Sequence, residues 1–344
     1  MTAAPLTAAF HRQGRACEDL GSPFMGQLMG MLGDRLTPDD GAIAARLFAW
    51  EGDVSPAGAS LPLRLAGGLH ALVLQGHAEL RAVYPPNQVS DDRLWQAVRE
   101  ALDTDYTFLD DWLASAPQTN ELRRSIALRA VGQWLHHRFG YPLDMMELGA
   151  SAGLNLNWDR FGLTLPGHRY GPDDAPFDLT PDWDGPMPPE GTPVVSARHG
   201  VDLRPLHPAR DGLRLRAYLW PDQPDRLARM DAALALAPNP VDAGDAGDWI
   251  TARLQRPTVP GTCRLIYHTV AWQYFPPDTD KTARMAIEAA GAAATDETPL
   301  AWFAMETDHT PPGARLTLRL WPGDLTLDAG RVDFHGRWMQ WRLE

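Results

Sequence analysis

Leu143-Asp144-Met145-Met146-Glu147-Leu148-Gly149-Ala150-Ser151-Ala152-Gly153-Leu154-Asn155-Leu156-Asn157-Trp158 is the stretch that decides the fold. Its apolar start follows a helix stop at Gly140 and Pro142 and reads as a buried strand. Glu147 lies at the end of that run. Gly149 and Gly153 then bracket small residues, and the chain beyond them can turn into a helix. Residues without bulky side chains let a backbone turn sharply and approach a ligand closely. A helix start offers free N–H groups, and a carboxylate at a strand end accepts hydrogen bonds from cationic or hydroxylated groups. Strand, acid, glycine turn and helix, in that order, are the layout of a nucleotide-type cofactor loop.

Working outward, composition sets the bounds. The chain has 344 residues, 44% hydrophobic and 22% charged, as expected of a globular protein of one large or two medium domains with a sizeable core. A formal net charge of -13 argues against a dedicated binder of nucleic-acid backbone, which needs clustered Lys and Arg. The two cysteines, Cys17 and Cys263, build neither a disulfide framework nor a zinc site. The histidines show no ligand spacing, so no metal is expected. The N-terminus lacks a basic start followed by an apolar core, and no apolar run reaches the ~20 residues of a membrane span. A cytoplasmic protein without a membrane partner is the expectation, with a small molecule as its ligand.

Residues 1–140 read as helical. Ser22-Pro23 and Ser90 mark helix starts, and Thr37-Pro38-Asp39-Asp40 carries a cap residue, an early proline and first-turn acids. Thr119 or Asn120 can cap a long helix bearing Leu122, Ile126, Ala130 and Trp134; Asn120 can alternatively belong to a lid that reaches the ligand. Past the glycine turn, about 158–190 is an irregular insertion rich in proline, glycine and acids, with Trp158 and Asp159 at its entrance. Strands are then expected ending at Asp202, near Val241, at Val270 and at Glu306, with helices between them. Arg315 to Trp321 alternates, and Trp338 to Leu343 is its expected antiparallel partner.

Strand ends in that order resemble the class I S-adenosylmethionine (SAM)-dependent methyltransferases. Glu147 to Gly153 resembles their first motif, Val201-Asp202-Leu203 the acid that holds the cofactor ribose, and Gly244-Asp245-Ala246 the acid facing the adenine. Tyr267-His268-Thr269-Val270 takes the place of the motif beside the reacting methyl. The resemblance implies a Rossmann-like, mainly parallel sheet with helices on both faces over 141–344, after an all-helical domain over 1–140. It implies cofactor contacts from Glu147, Gly149, Ala150, Ser151, Gly153, Asn155, Asp202, Asp245 and Ala246, with His268 as a base. Asn120, Trp158, Asp159, Trp272, Gln273 and Tyr274 are the residues expected on the substrate side. About 40 residues separate Asp202 from Asp245, where a compact unit takes roughly 20.

Two rivals remain at this point. Gly149-x-Ser151-x-Gly153 also matches the nucleophile elbow of α/β-hydrolases, with Ser151 as nucleophile, and a non-catalytic ligand-binding module can share the same fold. A phosphate-binding loop is excluded because no Lys follows Gly153. Over nearly its whole length the chain resembles the bacterial proteins catalogued as domain of unknown function 2332. Ser22-Pro23-Phe24, Pro117-Gln118-Thr119-Asn120-Glu121, Trp220-Pro221-Asp222-Gln223, Tyr267 to Tyr274 and His335-Gly336-Arg337-Trp338 carry that resemblance together with the glycine turn. It implies a helical part and a methyltransferase-like part, and no established reaction.

Overall fold

Apolar residues at helical spacing dominate the first third of the chain, and there they form helices. The computed structural model describes residues 4–56 and 58–344. The chain divides into two compact units, Met1–Thr119 with Ala209–Met230, and Asn120–Pro208 with Asp231–Glu344. The first holds α1 (Ala4–Asp19), α2 (Pro23–Arg35), α3 (Ala42–Phe48), α4 (Leu61–Gln75), α5 (Ala78–Arg81), α6 (Asp91–Thr104) and α7 (Tyr106–Leu113). Ser22 caps α2 and Ser90 caps α6, each accepting a backbone N–H three residues on. Thr37-Pro38 does not start a helix. Asp40 accepts from both the N–H and the hydroxyl of Thr37, which closes a turn, and α3 begins only at Ala42. Leu28, Ile43, Leu65 and Leu94 lie in the fully buried core of this unit.

The second unit is mixed α/β. It opens with the 3-10 turn Leu122–Arg124 and α8 (Ser125–Phe139). The chain continues through β1 (Leu143–Leu148), the 3-10 turn Asn155–Arg160, β2 (Gly162–Leu165), β3 (His168–Tyr170), β4 (Asp178–Leu179), β5 (Asp182–Asp184) and β6 (Val195–Asp202). The chain then passes through α9 (Pro208–Ala217) and α10 (Pro224–Leu234), which belong mostly to the first unit, and returns to the second with β7 (Val241–Ala243), α11 (Ala246–Leu254), β8 (Cys263–Thr269), the 3-10 turn Trp272–Tyr274 and α12 (Pro277–Ala292). The hairpin-rich end is β9 (Leu300–Glu306), β10 (Ala314–Trp321), β11 (Leu325–Val332) and β12 (Trp338–Trp341). The large sheet has the order β5-β12-β11-β10-β9-β8-β1-β6-β7. Strands β7, β6, β1, β8 and β9 run parallel, whereas β9 to β12 are antiparallel. One core lies between this sheet and α8, with Leu143, Met145, Leu265 and Phe303. The other joins Met146, Leu148 and Ile266 to Ala283 and Ile287 of α12. Period-two alternation explains the split, since neighbouring residues of β1 face opposite ways.

Three expectations are corrected here. The long helix α8, expected within the helical domain, packs in the α/β unit, because its side chains are buried almost all round from Ser125 to Gln133. No α-helix follows the glycine turn; a 3-10 turn leads instead into the small sheet β3-β2-β4, which holds the expected insertion. Trp338–Trp341 does not pair with β10. Strand β11 intervenes, and its interior Gly330, at φ 119°, breaks the alternation by which a strand is recognised. The wide spacing from Asp202 to Asp245 is accounted for by two helices, α9 and α10, where one was expected. Among the described residues, no helix is long and apolar enough to cross a membrane.

Candidate functional site

The glycine turn is wound through left-handed backbone at three positions, with φ 75° at Gly149, 54° at Ser151 and 69° at Gly153. A non-glycine residue at such a φ is uncommon and strained. Each glycine is also required by packing. A Cβ at Gly149 would lie 2.5 Å from Ala271 Cβ, and one at Gly153 would lie 2.8 Å from Val241 Cγ2. The backbone donors of the turn are largely engaged within the protein. Gly149 and Ala150 both donate to the Val201 carbonyl at 2.9 Å, and Ser151 N donates to Asp202 Oδ2 at 2.9 Å. Leu154 N donates to Asn120 Oδ1 at 3.1 Å. Asn120 therefore reaches the turn, while Glu121 beside it caps the 3-10 turn by accepting from Arg123 N. The Ser125 hydroxyl donates to Asn155 Oδ1, and Asn155 Nδ2 donates to the Glu121 carbonyl.

Glu147 lies under α8. In the parallel register it is level with Gly200 of β6 and Tyr267 of β8, so Glu147 and Tyr267 share one face. It is 2% exposed, and its Oε2 has no hydrogen-bond partner. Burial, and then the Asp202 carboxylate, push its pKa well above the ordinary value; Tyr267 and Arg124 oppose the shift without reversing it. The Ser151 hydroxyl is also buried and unpartnered. Two polar atoms without partners at one turn are unusual, because nearly all buried polar groups are hydrogen-bonded.

On the opposite face stands His268, 2% exposed. The Trp302 indole Nε1–H donates to His268 Nε2 at 3.1 Å. An indole nitrogen can only donate, so Nε2 carries the lone pair and Nδ1–H donates to Glu306 Oε1 at 2.7 Å. Glu306 Oε1 also accepts from Ala271 N and Trp272 N, both at 2.9 Å. Burial acts to raise the Glu306 pKa, but the bonds from His268, Ala271 and Trp272 outweigh it and the net direction is down. Both ring nitrogens of His268 are thus engaged. With Trp272, Gln273, Trp302 and Glu306 it lines a cavity of about 430 Å³ over the sheet. Tyr274 is 71% exposed and is not among the lining residues.

The remaining predicted residues have structural partners. Asp245 caps α11, its Oδ1 accepting from Gly247 N at 2.8 Å and Asp248 N at 3.1 Å while Oδ2 accepts from the Thr279 hydroxyl. Ala246 is buried at the start of that helix. Trp158 is fully buried, and a Cβ at Gly132 would lie 2.1 Å from its ring. Asp159 makes a bidentate pair with Arg198, in which Arg198 Nη2 donates to Oδ2 at 2.6 Å. The structure therefore gathers Glu147, Gly149, Ala150, Ser151, Gly153, Asn155, Asp202 and Asn120 around the turn. It gathers His268, Trp272 and Gln273 around the cavity on the other face. Glu306, Trp302 and Arg284 were not singled out in the sequence. The signal for Glu306 was available, since it closes an apolar run just as Glu147 closes its own. Among the described residues, no group of three or more His, Cys, Asp or Glu side chains could hold a metal ion.

A mixed α/β unit with a glycine turn after its first strand, together with a helical unit, defines the class of protein. The chain matches the model of the family described as "Uncharacterized protein conserved in bacteria (DUF2332)" over residues 7–341, and it belongs to that family. Comparison with curated proteins returns no match. Comparison with solved structures returns none either.

Proposed function

We propose that the α/β unit binds SAM at the carboxyl ends of its parallel strands and is a methyltransferase for a small-molecule or protein acceptor. The observation that carries this reading is the position of β1. Strands β6 and β7 extend the sheet to one side of it and β8 and β9 to the other, so the glycine turn opens at a topological switch point. The chemistry of the turn fits such a ligand. Glu147 Oε2 and the Ser151 hydroxyl are buried without partners and would accept or donate to its polar groups. Asp202 would exchange the Ser151 N–H for ribose hydroxyls. Asp245 serves the fold instead, since its oxygens accept from the cap N–H groups of α11 and from the Thr279 hydroxyl.

SAM supplies a methyl group on a sulfonium whose leaving group is neutral, so the transfer needs no acid. The chain's task is orientation. Where the acceptor is protonated a base is needed, and His268 is the residue assigned to it, with Glu306 fixing its tautomer. The acceptor would have to replace the Trp302 N–H on His268 Nε2. Calorimetry of the full chain with SAM and with its demethylated product is the test. Heat with both ligands is expected, together with at least about tenfold weaker binding in Asp202→Ala, the loss of a charge-assisted contact. No heat with either ligand, and no thermal protection at millimolar concentration, sinks the reading.

One observation favours a second reading. The left-handed backbone of Ser151 and its unpartnered hydroxyl are features of a strained nucleophile elbow, as in an esterase. Against it, no imidazole hydrogen-bonds that hydroxyl among the described residues. Ester hydrolysis that disappears in Ser151→Ala would favour it over methyl transfer. Binding of SAM without turnover on any acceptor would favour a non-catalytic module.

A further inference from the structure

The cavity beyond His268 combines two indole rings with a carboxylate that is only half satisfied. Trp272 and Trp302 lie 5.2 Å apart, inclined at 44°. Glu306 closes one side, and its Oε2 is buried without a partner although Oε1 accepts three hydrogen bonds. Thr317 and Thr326 of β10 and β11 are also in the lining. The two guanidinium groups that line the cavity are already matched by acids. Arg319 donates to Asp324 at 2.6 and 3.0 Å and to Glu288 at 2.7 Å, while Arg284 Nε donates to Asp280 at 2.8 Å. Two cations thus face four carboxylates once Glu306 is counted.

The protein already shows what these indoles attract. Arg284 Cζ lies 5.0 Å from the Trp272 ring and 5.7 Å from the Trp302 ring, within the range of cation–π attraction. Its side chain is about half exposed, which leaves it free to swing outward. We propose that this cavity binds a small organic cation, an alkylammonium or guanidinium group, and that Arg284 is the internal stand-in the ligand displaces. The ligand's charge would meet Glu306 Oε2 and the indole faces, and its polar substituents would meet the threonine hydroxyls. The inference goes beyond the proposed methyl transfer and stands without it, since it requires neither SAM nor turnover.

The test is a titration of the full chain with tetramethylammonium chloride and with methylguanidinium chloride, followed by NMR of the indole N–H signals. Trp272→Phe and Trp302→Phe assign the two signals. Methyl phosphate is the anionic control and sodium chloride the ionic-strength control. Saturable shifts of both indole signals by the cations, and none by methyl phosphate, are expected. Glu306→Gln should weaken binding about tenfold through loss of the charge-assisted contact. Arg284→Ala should tighten it several-fold, because the competing cation is gone. Thr317→Trp, which puts a bulky ring into the cavity lining while leaving Glu306 intact, should abolish it and guards against a misfolded Glu306 variant. Saturable binding of methyl phosphate that is lost in Arg284→Ala would overturn the proposal in favour of an anion site. Absence of any saturable shift up to about 100 mM probe, beyond the weakest affinity worth the name for so few atoms, would overturn it outright.

Discussion

Glu147 and Glu306 are the same residue type at nearly the same place, the carboxyl ends of β1 and β9 on either side of β8, yet their chemistry diverges. Glu147 faces α8, with an unpartnered Oε2 and the Asp202 carboxylate nearby, and its pKa is pushed up. Glu306 gathers an imidazole N–H and two backbone N–H groups on one oxygen, and its pKa is pulled down. Burial alone would raise both. What separates them is the supply of donors. The turn after β8 passes Glu306 with its N–H groups inward, whereas the turn after β1 spends its donors on Val201, Asp202 and Asn120. A carboxyl starved of donors is poised to meet a ligand, whereas Glu306 anchors the backbone through its donor-rich Oε1 and keeps only its unpartnered Oε2 for a ligand.

The largest expected effect is the loss of that anchor. Glu306→Ala leaves His268 Nδ1–H and the N–H groups of Ala271 and Trp272 without an acceptor, and each buried orphan costs about 1–3 kcal/mol. A destabilisation of about 3–5 kcal/mol by urea denaturation is expected. Glu147→Gln should cost far less, since no partner of Oε2 is lost. Equal losses in the two variants would break the comparison.

The next effect is in the sign of the pH dependence. The folded pKa of Glu306 is lowered, so its contribution is present above its unfolded value and lost as pH falls through the folded one. Glu147 is raised, so its contribution is complete below its unfolded value, close to the ordinary 4.5, and is lost as pH rises toward the folded one. Relative to the native protein, Glu147→Gln should therefore gain stability as pH climbs above about 4.5, by about 1.4 kcal/mol for each pH unit within the window. Glu306→Gln should be at its greatest disadvantage near neutrality, and the gap should narrow in acid. Urea midpoints between pH 4 and 8 would check both; parallel curves would mean that the two glutamates titrate alike.

Much of this was written in the sequence. The run from Leu143 to Leu148, the glycine turn and the successive strand ends located the parallel half of the sheet, because an apolar strand followed by a glycine turn is a local signal. The N-terminal helices were legible from spacing and from Ser22 and Ser90. Partnership was not legible. Asp202 and Asp245 look alike in sequence as acids at strand ends, but which donors meet them depends on segments far along the chain, such as Thr279. His268 was visible as a strand-end histidine, while its lock between Trp302 and Glu306 requires β9 to lie beside β8. Strand β11 was hidden because Asp328 and Gly330 interrupt its pattern.

The smallest expected effect sharpens the distinction between those two strand-end acids. Asp245 accepts from the second and third N–H groups of α11, the usual work of a helix cap. Asp245→Ala removes that, at about 1 kcal/mol, plus the bond from Thr279 at about 1 kcal/mol more. Asp202 instead receives Ser151 N and Arg204 N, so it fixes the strained turn itself. Asp245→Asn keeps an acceptor for the cap and should leave stability and SAM affinity nearly unchanged. Asp202→Asn offers one acceptor oxygen to the two N–H groups of Ser151 and Arg204, so it should cost about 1–3 kcal/mol and also weaken SAM binding, because an amide cannot match a carboxylate as acceptor for both ribose hydroxyls. Melting temperature and calorimetry on the two variants separate these outcomes. If Asp245→Asn weakens SAM binding as much as Asp202→Asn does, the cap residue also touches the ligand, and the division between anchoring and ligand-facing acids fails at β7.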